Sequence, residues 1–302
     1  MDHLHDAGVS AGLSAETLPA AALPVLLAAA YLYLAARARQ RNHAQGWRRS
    51  RTGLFLTGCA LLGVALLPPV GSLAHDDFRG HMLQHLLIGM YAPIALALGA
   101  PITLLLRTLP TTRARQLITL LNSRTARLIA NPATALLIST GTLAILYFTP
   151  LYDTTMNQAA LHWLMHIHFL LSGCLFAWVI AGPDPAPHRP SVPTRLVVLG
   201  IAVATHATVS QLIYGGFLTD IDAPINQVQG GAEIMYYGGD IAELLLAAAL
   251  VTTWRPTRHP KHHRAGPGTP ASSNAIWLCV LRRRRSPHTG HSRPPQWSKI
   301  TH

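Results

Sequence analysis

The sequence predicts an all-α, polytopic membrane protein, a seven-transmembrane-helix bundle, and three observations carry that prediction. Half of its 302 residues are hydrophobic and only 12% are charged, a membrane-protein composition. The apolar residues come in uninterrupted runs of about 20, the length that crosses a ~30 Å hydrocarbon core, where a soluble chain would show amphipathic stripes. The basic residues fall on alternate connections between those runs.

The seven runs are Leu18 to Ala36, Gly53 to Val70, Met82 to Leu106, Pro132 to Pro150, Ala160 to Ala181, Leu196 to Leu218 and Ile234 to Trp254. Before the first, the leader MDHLHDAGVSAGLSAE has no positive n-region, and the run ends at arginines rather than at small residues. It is therefore read as a helix and not as a cleaved signal. Three segments follow: an external N-terminal segment 1–17, a membrane domain 18–256 and a cytoplasmic tail 257–302. The tail is rich in Pro, His, Ser and Arg, includes Arg282 to Arg285, and has no periodicity. It reads as a disordered, solvated basic segment, in which His262 and His263 need no metal.

Orientation follows from the arginines. Six lie between Arg37 and Arg51, five between Arg107 and Arg127, Arg189 and Arg195 flank the fifth connection, and ten Lys or Arg run from Arg255 onward. Of the 24 basic residues only Arg79 falls on the other side, so the N-terminus is expected outside and the C-terminus in the cytoplasm. Juxtamembrane arginines facing an anionic leaflet account for most of the formal charge of +12, and no nucleic-acid partner is implied. Three cysteines, Cys59, Cys174 and Cys279, form no CxxC pair and no disulfide framework. No nucleophile, base and orienting group occur together, so the chain does not read as an enzyme.

The chemistry must come from polar residues inside the spans, because ionisable groups there are costly and face a partner or a cavity. His81 and His85 open the third run, one helical turn apart on one face with Gln84 beside them. His162 and His166 repeat that spacing at the start of the fifth. The sixth holds His206, and the seventh holds Asp240 and Glu243, three residues apart. On an N-out topology His85, His166 and Asp240 lie at similar depths in the outer half of the bilayer, with His206 somewhat deeper. Imidazole suits copper, zinc and iron, and a carboxylate can ligate directly or orient a histidine. The bland readings are interfacial histidines at 81 and 162, an interhelical hydrogen bond for His206, and a polar cluster or proton relay for Asp240 and Glu243. Outer connections add His75, Asp76, Asp77, Asp153, Asp220, Asp222 and Glu233, and the N-terminus adds Asp2, His3, His5 and Asp6. That mildly acidic face suits a cation, although the topology by itself requires it to lack positive charge.

HMLQHLLIGMYAPIALALGAP at 81–101, LYDTTMNQAALHWLMHIHFLLSGCLFAWVIAGPDPAPHRPS at 151–191 and GGAEIMYYGGDIAELL at 230–245 resemble the CtaG-type family of cytochrome c oxidase assembly factors of the caa3 type. The likeness covers about residues 20 to 255 and combines paired histidines with GAP and GPDP turns in order. It implies a multi-pass protein of the bacterial plasma membrane that helps to form haem-copper cytochrome c oxidase, with oxidase subunits as partners and copper as a transient ligand. The family positions carried over are His81, His85, His162, His166 and Asp240. Together with His206 these are the expected metal-site residues. Two alternatives from other classes are a membrane copper transporter, which requires a polar path to the cytoplasmic side, and a haem-binding membrane cytochrome with His85 and His166 or His206 as axial ligands.

Overall fold

A computed structural model of the chain describes residues 17–41, 46–187, 189–219 and 221–254. The N-terminal Asp2, His3, His5 and Asp6, the loop residue Asp220 and the expected tail 257–302, with His262, His263, Cys279 and Arg282 to Arg285, lie outside the described residues. The described residues belong to one compact unit, and every regular element described within it is helical.

The elements are α1 (Thr17–Arg41), α2 (Arg49–Leu66), α3 (Val70–Asp76), α4 (Phe78–Leu86), a π-helical turn (Leu87–Tyr91), α5 (Ala92–Leu98), α6 (Pro101–Thr108), α7 (Thr111–Leu121), α8 (Arg124–Ile129), α9 (Pro132–Tyr147), α10 (Leu151–Asn157), α11 (Ala159–Ile180), α12 (Val192–Tyr214) and α13 (Ile225–Thr252). Five helical stretches are long and apolar enough to cross a membrane: Ala20–Arg41, Phe78–Leu98, Ala159–Ile180, Val192–Tyr214 and Ile225–Thr252. The bent pairs α2–α3 and α9–α10, angled by 43° and 83°, bring the number to seven where each counts as one span. The first bend falls at Pro68 and Pro69 and the second just before α10 at Pro150, residues that lack the N–H a continuous helix needs.

The apolar run Met82 to Leu106 is not one helix, as its hydropathy suggests. α4, the π turn and α5 form a single rod to Leu98, and then Ala100 adopts a left-handed conformation (φ 57°) from which α6 departs. Within the rod, Pro93 has no N–H for the Gly89 carbonyl. The π turn just before it, where the Ala92 N–H reaches back to the Leu87 carbonyl, is the local widening that accommodates such a gap.

Helices meet closely where side chains vanish. A Cβ on Gly173 of α11 would overlap the Gly89 carbonyl, one on Gly231 of α13 would press into Phe78, and one on Gly58 of α2 would lie 2.7 Å from a Leu96 carbon. These are the small-residue contacts by which helices pack in lipid. Around them Met82, Leu62, Leu104, Ile213 and Met235 are fully buried. Outward-facing leucines such as Leu137, Leu164, Leu171 and Leu244 are 59–70% exposed, a surface that hydrocarbon covers.

The two ends differ in charge. At one, Arg41 donates to the Thr108 carbonyl (2.6 Å), Arg51 and Arg107 lie over the Trp47 ring at 5.1 and 5.5 Å, and Arg195 donates to the Ile180 carbonyl (2.6 Å). There the buried Asp184 of the GPDP turn accepts hydrogen bonds from the backbone N–H groups of Ile102 (2.9 Å) and Thr103 (2.7 Å) and from the Thr103 hydroxyl, capping α6. At the other end His75, Asp76, Asp77, Asp153 and Asp222 line one cavity.

Candidate histidine sites

α11 carries His162 and His166 on one buried face, with ring centres 4.3 Å apart. The bend after α2 brings α3 alongside, so that the ring of His75 stands 4.9 Å from that of His162. Three imidazoles therefore follow one another along the wall of a cavity of about 520 Å³, which Gln84, Met156 and Trp163 also line. Gln84 orders this group. Its side-chain amide donates to the Ala65 carbonyl (2.8 Å), which can only accept. Its oxygen therefore faces Nε2 of His166 at 3.1 Å, so Nε2 carries the proton and Nδ1 keeps its lone pair. An outer partner that fixes the tautomer in this way is what a ligating histidine requires.

His75, Met156 and Asn157 also line the acidic space beside it, again of about 520 Å³. There Arg79 binds Asp77 through its side chain (2.7 Å) and through its backbone N–H (2.8 Å). Those hydrogen bonds hold the Asp77 carboxyl below the usual carboxylate range, and the same carboxylate caps α4.

His85 takes a different direction. Its ring meets Phe169 edge to face at 4.5 Å and lines a smaller cavity, about 50 Å³, with His206, Glu243, Met90, Thr140 and Ser172. His206 lies over Gly239, where a Cβ would overlap its ring. His81 lines neither cavity. Its Nε2 is 3.2 Å from the Tyr147 hydroxyl and its ring meets Tyr152 edge to face at 5.0 Å. Asp240 is half-buried on α13 and also lines neither.

On the N-out topology the six expected residues are thus distributed: His162 and His166 share what would be the outer pocket, His85 and His206 the smaller inner cavity, and His81 and Asp240 stand apart from both. Among the described residues, no three His, Cys, Asp or Glu side chains are already gathered closely enough to hold an ion. Three contributors were not on the expected ligand set: His75, Gln84 and Glu243. Gln84 was visible as the neighbour of both histidines on α4, and Glu243 as the partner of Asp240 on one face. His75 gave no signal beyond lying on an outer connection.

These features define a multi-pass helical membrane protein with a histidine-lined interior. A family model for the cytochrome c oxidase caa3 assembly factor (CtaG) matches residues 29–257, and the chain belongs to that family. Uncharacterized proteins of Mycobacterium bovis and Mycobacterium tuberculosis are each 34% identical to it over 241 residues, 74% of this chain and 36% of theirs. An uncharacterized protein of Mycobacterium leprae is 30% identical over 247 residues, 75% of this chain and 37% of its own length. The chain spans little more than a third of the length of these curated relatives. No solved structure matches it.

Proposed function

We propose that the chain is a non-catalytic assembly factor for a haem-copper cytochrome c oxidase in a bacterial plasma membrane, and that it takes up copper transiently in the pocket of His75, His162 and His166 before passing it to an oxidase subunit. The observation that carries this reading is the succession of three imidazole rings, 4.9 and 4.3 Å apart, in a pocket whose mouth shares His75 and Met156 with an aspartate-lined space. The acidic space attracts a cation, and the imidazoles, with the Met156 thioether nearby, suit copper. A donor site needs few and exchangeable ligands rather than a closed cage, and side-chain rotation around an already oriented His166 supplies that. On the N-out topology this mouth opens on the outer face.

Anaerobic loading of the detergent-purified full chain with Cu(I) tests the reading. The His162→Ala, His166→Ala double variant should lose one copper per chain, and cells carrying it should assemble less active oxidase. Equal copper in the two proteins overturns the copper site. Full oxidase activity in cells that make only the variant overturns its role in assembly.

A further inference from the structure

The inner cavity gathers buried polar atoms that lack a partner. His85 Nδ1, both ring nitrogens of His206 and Glu243 Oε2 are buried polar atoms with no hydrogen-bond partner, and the three side chains are 94–97% buried. Buried polar groups are as a rule satisfied, and here the unpartnered ones belong to three residues, from α4, α12 and α13, that line one space. Two glycines line it and a third backs one of its histidines. Gly89 lies under His85, where a Cβ would come within 3.5 Å of the ring; Gly173 packs on Gly89; and Gly239 lies under His206, one turn before Glu243. The helices therefore meet closely around the cavity while a space of about 50 Å³ stays open, enough for a small ion with a water or two.

The lining includes no Lys or Arg. Water can satisfy the hydrogen-bonding atoms and a proton can neutralise the Glu243 carboxyl, whose charge is costly when unpaired in the interior of the bundle. A metal ion answers both demands at once. Two imidazoles and one carboxylate form a nitrogen–oxygen ligand set that suits divalent transition metals, with a position left for solvent. We infer that His85, His206 and Glu243 form an internal site for a divalent transition-metal ion, separate from the outer histidine pocket and independent of whether that pocket binds copper. Rotation of the side chains into the cavity would gather the ligands around the ion.

Copper(II) is the probe. The full-length detergent-purified protein would be equilibrated with Cu(II) in excess glycine, which keeps solvent-exposed histidines empty, then assayed for bound metal and by electron paramagnetic resonance. The His162→Ala, His166→Ala variant should retain one ion, with nitrogen hyperfine structure from two imidazoles. Adding His206→Gln should remove that ion. Glu243→Gln, which keeps the size and hydrogen bonding of the side chain, should weaken binding at least tenfold with helical circular dichroism unchanged. Absence of a retained ion in the outer-pocket variant, or retention unaffected by both His206→Gln and Glu243→Gln, overturns the inner site. If the outer-pocket substitutions remove no metal while the inner ones remove one ion, the outer copper reading fails and the inner site stands.

Discussion

Gln84 and His166 show how a single residue sets what another can do. The Ala65 carbonyl orients the Gln84 amide, and the amide oxygen fixes the proton on His166 Nε2. Substitution Gln84→Ala removes that constraint without touching a ligand. Loss of such outer partners costs about 10- to 100-fold in metal affinity, so a competition titration with a Cu(I) chelator should show a drop of that order while stoichiometry is kept. An unchanged affinity would mean that the hydrogen bond merely satisfies a buried amide. The four-residue histidine spacing was legible in the sequence because it depends on one helix alone. The separate destinations of His81 and His85 were not, since they depend on Tyr147 of α9 and Tyr152 of α10 meeting one ring and Phe169 of α11 meeting the other. His75 joins His162 only because the chain bends by 43° after α2, and no periodicity encodes that angle.

At the level of elements, the GAP and GPDP turns are two halves of one device. GAP ends the α4–α5 rod through the left-handed Ala100 and starts α6 at Pro101, and the aspartate of GPDP then satisfies the first free N–H groups of that helix. Arg189 holds the GPDP turn by donating to the Asp184 carbonyl at 2.8 Å. Asp184→Ala leaves two half-buried backbone donors and the Thr103 hydroxyl without their partner, a loss of at most about 1–3 kcal/mol, the cost of a fully buried unsatisfied group. The variant should unfold at a lower temperature in detergent than the wild type, and Asp184→Asn, which keeps one acceptor oxygen, should fall between them. Equal melting temperatures for all three proteins would show that the cap adds nothing to stability. Hydropathy hid this break, because Leu98 to Leu106 is apolar on both sides of the turn and the left-handed position holds an alanine where a glycine would have marked a helix end.

For the whole molecule, the requirement that every backbone polar group be satisfied within its own helix makes spans readable one at a time, which is why five of the predicted runs overlap a membrane-length helical stretch and two fall on bent pairs, while the third run extends past its rod into α6. Charge is the long-range counterpart of that pattern. Arg41, Arg51, Arg107 and Arg195 fasten the connections at one end, while Asp76, Asp77, Asp153 and Asp222 border the mouth of the histidine pocket at the other. An excess of arginine marks the cytoplasmic side, so the pocket should face outward, where copper would arrive. Single cysteines in a background of Cys59→Ser, Cys174→Ser and Cys279→Ser would read this in intact cells with a membrane-impermeant maleimide. Asp153→Cys should react before lysis and Ser123→Cys, between the exposed helices α7 and α8, only after it. The reverse order would place the histidine pocket on the cytoplasmic side, and delivery would then have to draw on copper from within the cell.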